Sequence, residues 1–113
     1  MNVNAPVRKW KRFKVDIRVR LRRWDEPEEA VTVVRSYELS EGGMSVYASE
    51  SLEVGTAMQV AFSLPGTERG LRIRAVIKNR RGFRCGMEFV ELDAGARDAI
   101  LRYLGSLVDV IEI

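Results

Sequence analysis

The sequence predicts an all-β domain finished by one helix. Three observations lead there. Six short runs alternate apolar with polar residues, the two-residue period of a half-buried strand. Turn signals rich in Gly, Pro and acids separate them. After Asp93 the apolar spacing changes to that of an amphipathic helix. At 113 residues the chain is one domain with one modest core. Its 46% hydrophobic and 31% charged content is that of an ordinary soluble globular protein.

Residues 1–14 show no usable apolar period and carry Arg8, Lys9, Lys11 and Arg12, so they read as a flexible basic arm ahead of a domain spanning 15–113. The first strand follows, with Val15, Ile17, Val19 and Leu21 alternating against Asp16, Arg18, Arg20 and Arg22. Asp25-Glu26-Pro27-Glu28-Glu29 breaks it. Val31 to Leu39 is a second strand, rich in β-branched residues. Gly42-Gly43 then turns the chain, and Met44, Val46 and Ala48 mark a third strand. Met58, Val60, Phe62 and Leu64 form a fourth, ended by Pro65-Gly66. Leu71, Ile73, Ala75 and Ile77 make the inner face of a fifth, with Arg72, Arg74 and Lys78 outside. Arg81-Gly82 turns into the sixth, whose inner face is Phe83, Cys85, Met87 and Phe89. Six such strands suggest an antiparallel barrel or a sandwich.

Asp93 is a good N-cap, and Ile100, Leu101, Leu104, Leu107 and Val108 follow at helical spacing. The helix, of roughly a dozen residues, would close a barrel end or pack on its side. The apolar tail Val108–Ile113 would extend it, pack separately or pair with a second chain, leaving monomer and homodimer both open.

Net charge is +3, unevenly placed. Residues 1–24 hold nine Lys/Arg against Asp16 alone, giving +8, and residues 25–113 hold ten against fifteen acids, giving −5. A second basic group runs from Arg69 to Arg84. Such clusters point to an anionic partner: a nucleotide, a nucleic acid or an acidic surface. No apolar run approaches the roughly 18 residues that span a bilayer. Met1-Asn2-Val3-Asn4 leads into charge rather than an apolar signal core, so a cytoplasmic location is expected.

Histidine is absent, which removes the commonest general base and metal ligand. The single Cys85 lies in an alternating run and reads as a buried structural thiol. No acid pair, phosphate loop or thiolate set stands out, so the chain is expected not to be an enzyme and to need no cofactor.

Two stretches carry chemistry. Arg8 and Arg12 are four residues apart, roughly 13 Å in an extended arm or one turn apart in a helix. Either spacing clamps an anion, and the guanidinium fork fits guanine O6/N7 or two phosphate oxygens. Glu38-Leu39-Ser40-Glu41-Gly42-Gly43 adds a carboxylate acceptor, a hydroxyl, and glycines that let backbone approach a ligand. Trp10, inside the arginine spacing, either stacks on a base or folds against the barrel, and the second is favoured.

The pair Arg8-x-x-x-Arg12 and x-x-Ser40-x-x-Gly43, before and after an early strand, resembles the PilZ domain family, whose motifs are Arg-x-x-x-Arg and Asp/Asn-x-Ser-x-x-Gly. Phe62-Ser63-Leu64-Pro65 and Gly86-Met87-Glu88-Phe89 are similar to the family's Leu-Pro strand end and late Gly-x-x-Phe strand. The resemblance runs from Arg8 to Leu107. It implies a six-stranded antiparallel β-barrel with a C-terminal helix that binds cyclic di-GMP and regulates motility, biofilm or polysaccharide output through a downstream protein partner. It implies that Arg8 and Arg12 grip guanine edges and phosphates, Ser40 bonds the ligand, Gly43 holds the turn and Glu38 accepts from a guanine edge. Lys9, Trp10, Arg35 and Gly42 are secondary candidates. Glu38 departs from the motif's Asp/Asn by one methylene, and a misplaced partner costs on the order of 1–3 kcal/mol. Two alternatives accompany this reading: a degenerate PilZ-like interaction module that binds no nucleotide, and a small basic barrel binding nucleic acid through Arg18, Arg20 and Arg22.

Overall fold

The computed structural model describes residues 10–49, 52–67 and 69–111, with side chains through Leu107. Six antiparallel strands are present: β1 Phe13–Arg23, β2 Thr32–Leu39, β3 Gly43–Tyr47, β4 Ala57–Ser63, β5 Gly70–Arg81 and β6 Arg84–Phe89. They close into a barrel in the order β1-β2-β3-β6-β5-β4. Of the two architectures that alternation allows, closure leaves no strand edge exposed. A 3₁₀ turn, Glu28–Ala30, lies in the β1–β2 connection, and helix α1 runs Ala94–Ile111.

The alternating residues face where their period sends them. Ile17, Val19, Leu21, Met58, Val60, Ile73, Ala75 and Ile77 are buried, and their outward neighbours on β1 and β5 are largely arginines. Each large apolar side chain taken out of water contributes about 1.5–3 kcal/mol. Cys85 is buried with them. Burial pushes its thiol above the ordinary 9.0, and the Arg80 charge opposes this by less.

β5 continues past the last regular apolar position, Ile77, to Arg81, where the turn was expected. Two expectations are corrected. Phe83 is not on the inner face of the sixth strand. It shares the β5–β6 turn with Gly82, whose φ of +60° suits glycine, and is 67% exposed. α1 has 18 residues rather than about a dozen and takes up the segment to Ile111.

The Ala96 N–H donates to Asp93 Oδ1 at 2.8 Å, the expected N-cap. Ala96, Ile100 and Leu104 join the barrel core. Antiparallel pairing gathers the start of β1, the β2–β3 turn and the end of β6 at one barrel end. The helix begins there and caps it. Arg97 Nη1, on α1, donates to Glu41 Oε2 in the β2–β3 turn at 3.2 Å. No helix among the described residues is long and apolar enough to cross a membrane.

Candidate functional site

Strand alternation alone would point Glu38 into the core, because Val34 and Ser36 are buried four and two positions earlier. The structure does otherwise. Ser36 pairs with Val46, yet Glu38 pairs with Ser45, so β2 holds one extra residue against β3. This β-bulge flips the phase. Leu39 becomes fully buried, while Glu38 stays on the outer surface beside Ser45. The fully buried Ser36 hydroxyl fastens the bulge, with its Oγ 3.0 Å from the carbonyl oxygens of both Glu38 and Ser45.

A second bulge lies on β5, with β3 and β6 between the two. Ile77 pairs with Met87 and Asn79 with Gly86, so Lys78 and Asn79 both lie outside. Between the two bulges, the outer faces of β2, β3, β6 and β5 form a groove of about 310 Å³. Trp10 and Arg12 close one wall, Glu38–Ser40 with Gly42–Ser45 another, and Lys78, Asn79, Gly86 and Glu88 the far side.

Close approach dictates the glycines. A Cβ on Gly42 would lie 2.0 Å from Trp10 Cδ1, so the indole rests on the bare backbone there. Trp10 thus folds against the barrel. A Cβ on Gly43 would lie 2.1 Å from the Met87 carbonyl oxygen. Gly43 is already the first residue of β3, and its φ is not positive. It serves strand contact between β3 and β6 rather than a special turn conformation.

Ser40 is 8% exposed, and its Oγ accepts from the N–H groups of Gly42 (3.2 Å) and Gly43 (3.1 Å). The Ser40 N–H donates to the Gly43 carbonyl at 2.9 Å. The hydroxyl therefore shapes the turn and lines the groove from beneath. Arg12 Nη1 lies 3.5 Å from Glu38 Oε1, and the Ser45 hydroxyl donates to the same oxygen at 3.4 Å. Across the groove Lys78 Nζ is 3.9 Å from Glu88 Oε1. The floor is thus polar, with one cation and one carboxylate on each side. That arrangement suits a ligand carrying both anionic groups and hydrogen-bonding edges.

Of the residues picked from sequence, the groove gathers Trp10, Arg12, Glu38, Ser40, Gly42 and Gly43. Arg35 is not among them: it points off β2 elsewhere and pairs with Asp16 at 3.3 Å. Arg8 and Lys9 lie outside the described residues. Sequence reasoning missed Ser45, Asn79, Gly86 and Glu88, and took Lys78 only as part of a basic face with Arg72 and Arg74, which do not reach the groove. The available signal was the phase break after Ile77, where the alternation lapses into Lys78-Asn79-Arg80-Arg81. Among the described residues no three His, Cys, Asp or Glu side chains gather to hold a metal.

The profile of the PilZ domain matches residues 6–106. No curated protein matches the sequence. Solved structures share the fold. The PilZ domain of CeSA from a cellulose-synthesizing bacterium is 20% identical with a TM-score of 0.67, covering 86% of this chain and 97% of that one. The PilZ domain of YcgR from Escherichia coli, solved with c-di-GMP, is 17% identical with a TM-score of 0.71, covering 94% and 95%. The Bacillus subtilis inhibitor of motility MotI/DgrA is 22% identical with a TM-score of 0.74. The match covers 93% of this chain and 53% of that protein, about half its length.

Proposed function

This chain belongs to the PilZ domain family, and on that premise we propose that it is a non-enzymatic receptor that binds cyclic di-GMP in the groove over β2, β3, β6 and β5. The observation that carries the reading is convergence. Arg12 and Glu38, 26 residues apart, meet at one groove above the Ser40–Gly43 turn. A similar barrel, that of YcgR, was solved with c-di-GMP.

In this reading Arg12 leaves Glu38 for a phosphate or a guanine edge, and Arg8 follows it on the arm. Glu38 accepts from a guanine N–H. Ser40 and Gly43 hold the turn that forms the wall, and Trp10 covers Gly42. Binding neutralises the basic arm and changes the surface offered to a downstream protein, with motility, biofilm or polysaccharide synthesis as the controlled output. The protein would work in the cytoplasm, as a monomer or homodimer.

The Arg12–Glu38 pair favours a second reading, a PilZ module whose site is closed by its own carboxylate and which works through protein contacts alone. Calorimetric titration of cyclic di-GMP, with GTP as control, separates the two. Micromolar or tighter binding that disappears in Arg12→Ala supports the receptor. No heat with the wild-type chain, and heat appearing in Glu38→Asp, supports the disabled module.

A further inference from the structure

We propose a second binding surface, on the opposite side of the barrel from the candidate ligand groove: the outer face of β1, β4 and the start of β5 docks an extended, acidic segment of a partner protein. A groove of about 1320 Å³ lies there. Its cations fall into two kinds. Arg22 is occupied, donating to the carbonyl oxygens of Arg23, Trp24 and Glu26 and to Gln59 Oε1. Arg72 meets Glu28 at 3.6 Å. Arg18 and Arg20 are exposed and have no hydrogen-bond or ion-pair partner among the described residues.

Those two arginines sit two apart on one strand, so their side chains leave the same face about 6.6 Å from each other. Alternate carboxylates of an extended peptide have the same repeat. The register sets Arg20 between Ala61 on β4 and the half-exposed Val33 on β2, leaving shallow apolar floor beside the cations. Such a floor accepts the small apolar residues between the acids. Glu28 already seats a carboxylate on Arg72 at this rim, which shows the chemistry the face accepts.

A single-stranded nucleic acid is the rival occupant, and the lining argues against it. Base stacking needs exposed rings, and the one aromatic residue lining this groove, Phe62, is 5% exposed. Binding here goes beyond nucleotide recognition and does not depend on it.

The test is fluorescence anisotropy with the full chain and a labelled peptide repeating Val-Glu-Ser-Glu, its Val-Gln-Ser-Gln counterpart, and an oligothymidylate of matched length. The acidic peptide should bind and the glutamine peptide should not. Arg18→Glu/Arg20→Glu should weaken binding by about tenfold or more, and Arg18→Gln/Arg20→Gln by less. Arg81→Glu/Arg102→Glu, with the same charge change on exposed residues elsewhere, should leave it within about twofold. Circular dichroism verifies the fold of each variant. Absence of binding to the wild-type chain, an equal loss in the Arg81/Arg102 variant, or tighter binding of the oligothymidylate would overturn the proposal.

Discussion

The Glu38 side chain is 27% exposed and that of Arg12 41%, so their pair is a surface ion pair worth about 1 kcal/mol or less. A ligand phosphate would displace it at a cost of roughly fivefold in affinity. In a cyclic di-GMP receptor the extra methylene would matter more, because a misplaced acceptor costs about 1–3 kcal/mol. Glu38→Asp is therefore expected to tighten cyclic di-GMP binding by about tenfold in calorimetry; an unchanged affinity would mean that carboxylate reach does not limit binding. Ser36 supports Glu38 from below. Ser36→Ala leaves the bulge carbonyls without their buried donor, so urea unfolding should show a loss of about 1–3 kcal/mol. A loss below about 0.5 kcal/mol would mean that the bulge holds itself. Arg12, Glu38, Ser40 and Gly43 were legible as a candidate site because their types and spacing are local features of the chain. The outward direction of Glu38 was not, because it follows from a register that two strands set together.

Bulges and close approaches set the elements. The β2 and β5 bulges flank the β3–β6 pair and send Glu38, Lys78 and Asn79 to one face. Gly43 holds that pair together. A methyl group there meets the backbone carbonyl of Met87, which no rotamer change relieves. Gly43→Ala is expected to cost about 1–3 kcal/mol or more and to abolish ligand binding with it. Gly105, on α1, offers the contrast. Its Cβ position is open, so Gly105→Ala should stabilise the chain by up to about 1 kcal/mol through helix propensity. Thermal melts of both variants check the pair of signs. If Gly43→Ala melts with the wild type, the β3–β6 contact is not what selects glycine. The strands themselves were legible through alternation. Their ends were less so, since β5 runs on to Arg81 by pairing with β6 after its own apolar pattern stops.

At the scale of the molecule, the barrel carries two different outer faces around one core. Polar groups of both signs line the face over β2, β3, β6 and β5, while arginines dominate the face over β1 and β4. The helix joins the core at one end through the fully buried Ile100. Ile100→Ala should therefore destabilise the whole chain by about 2–5 kcal/mol. Unfolding should remain a single transition, because helix and barrel share that core. Separate transitions in far-ultraviolet circular dichroism and tryptophan fluorescence would show that α1 melts on its own.

The six strands, the N-capped helix, the buried cysteine and the two motifs could be read along the chain. Each depends on residue type and a short period along the chain, and such signals survive without knowledge of any distant neighbour. The pairing of β3 with β6, the closure of the sheet through β1 and β4, and the shared groove of Glu38, Lys78 and Asn79 emerge in the folded barrel alone. Those outcomes depend on the register between strands far apart in sequence. One extra residue in a strand reverses every side chain beyond it, and alternation alone carries no record of where the partner strand absorbs that step.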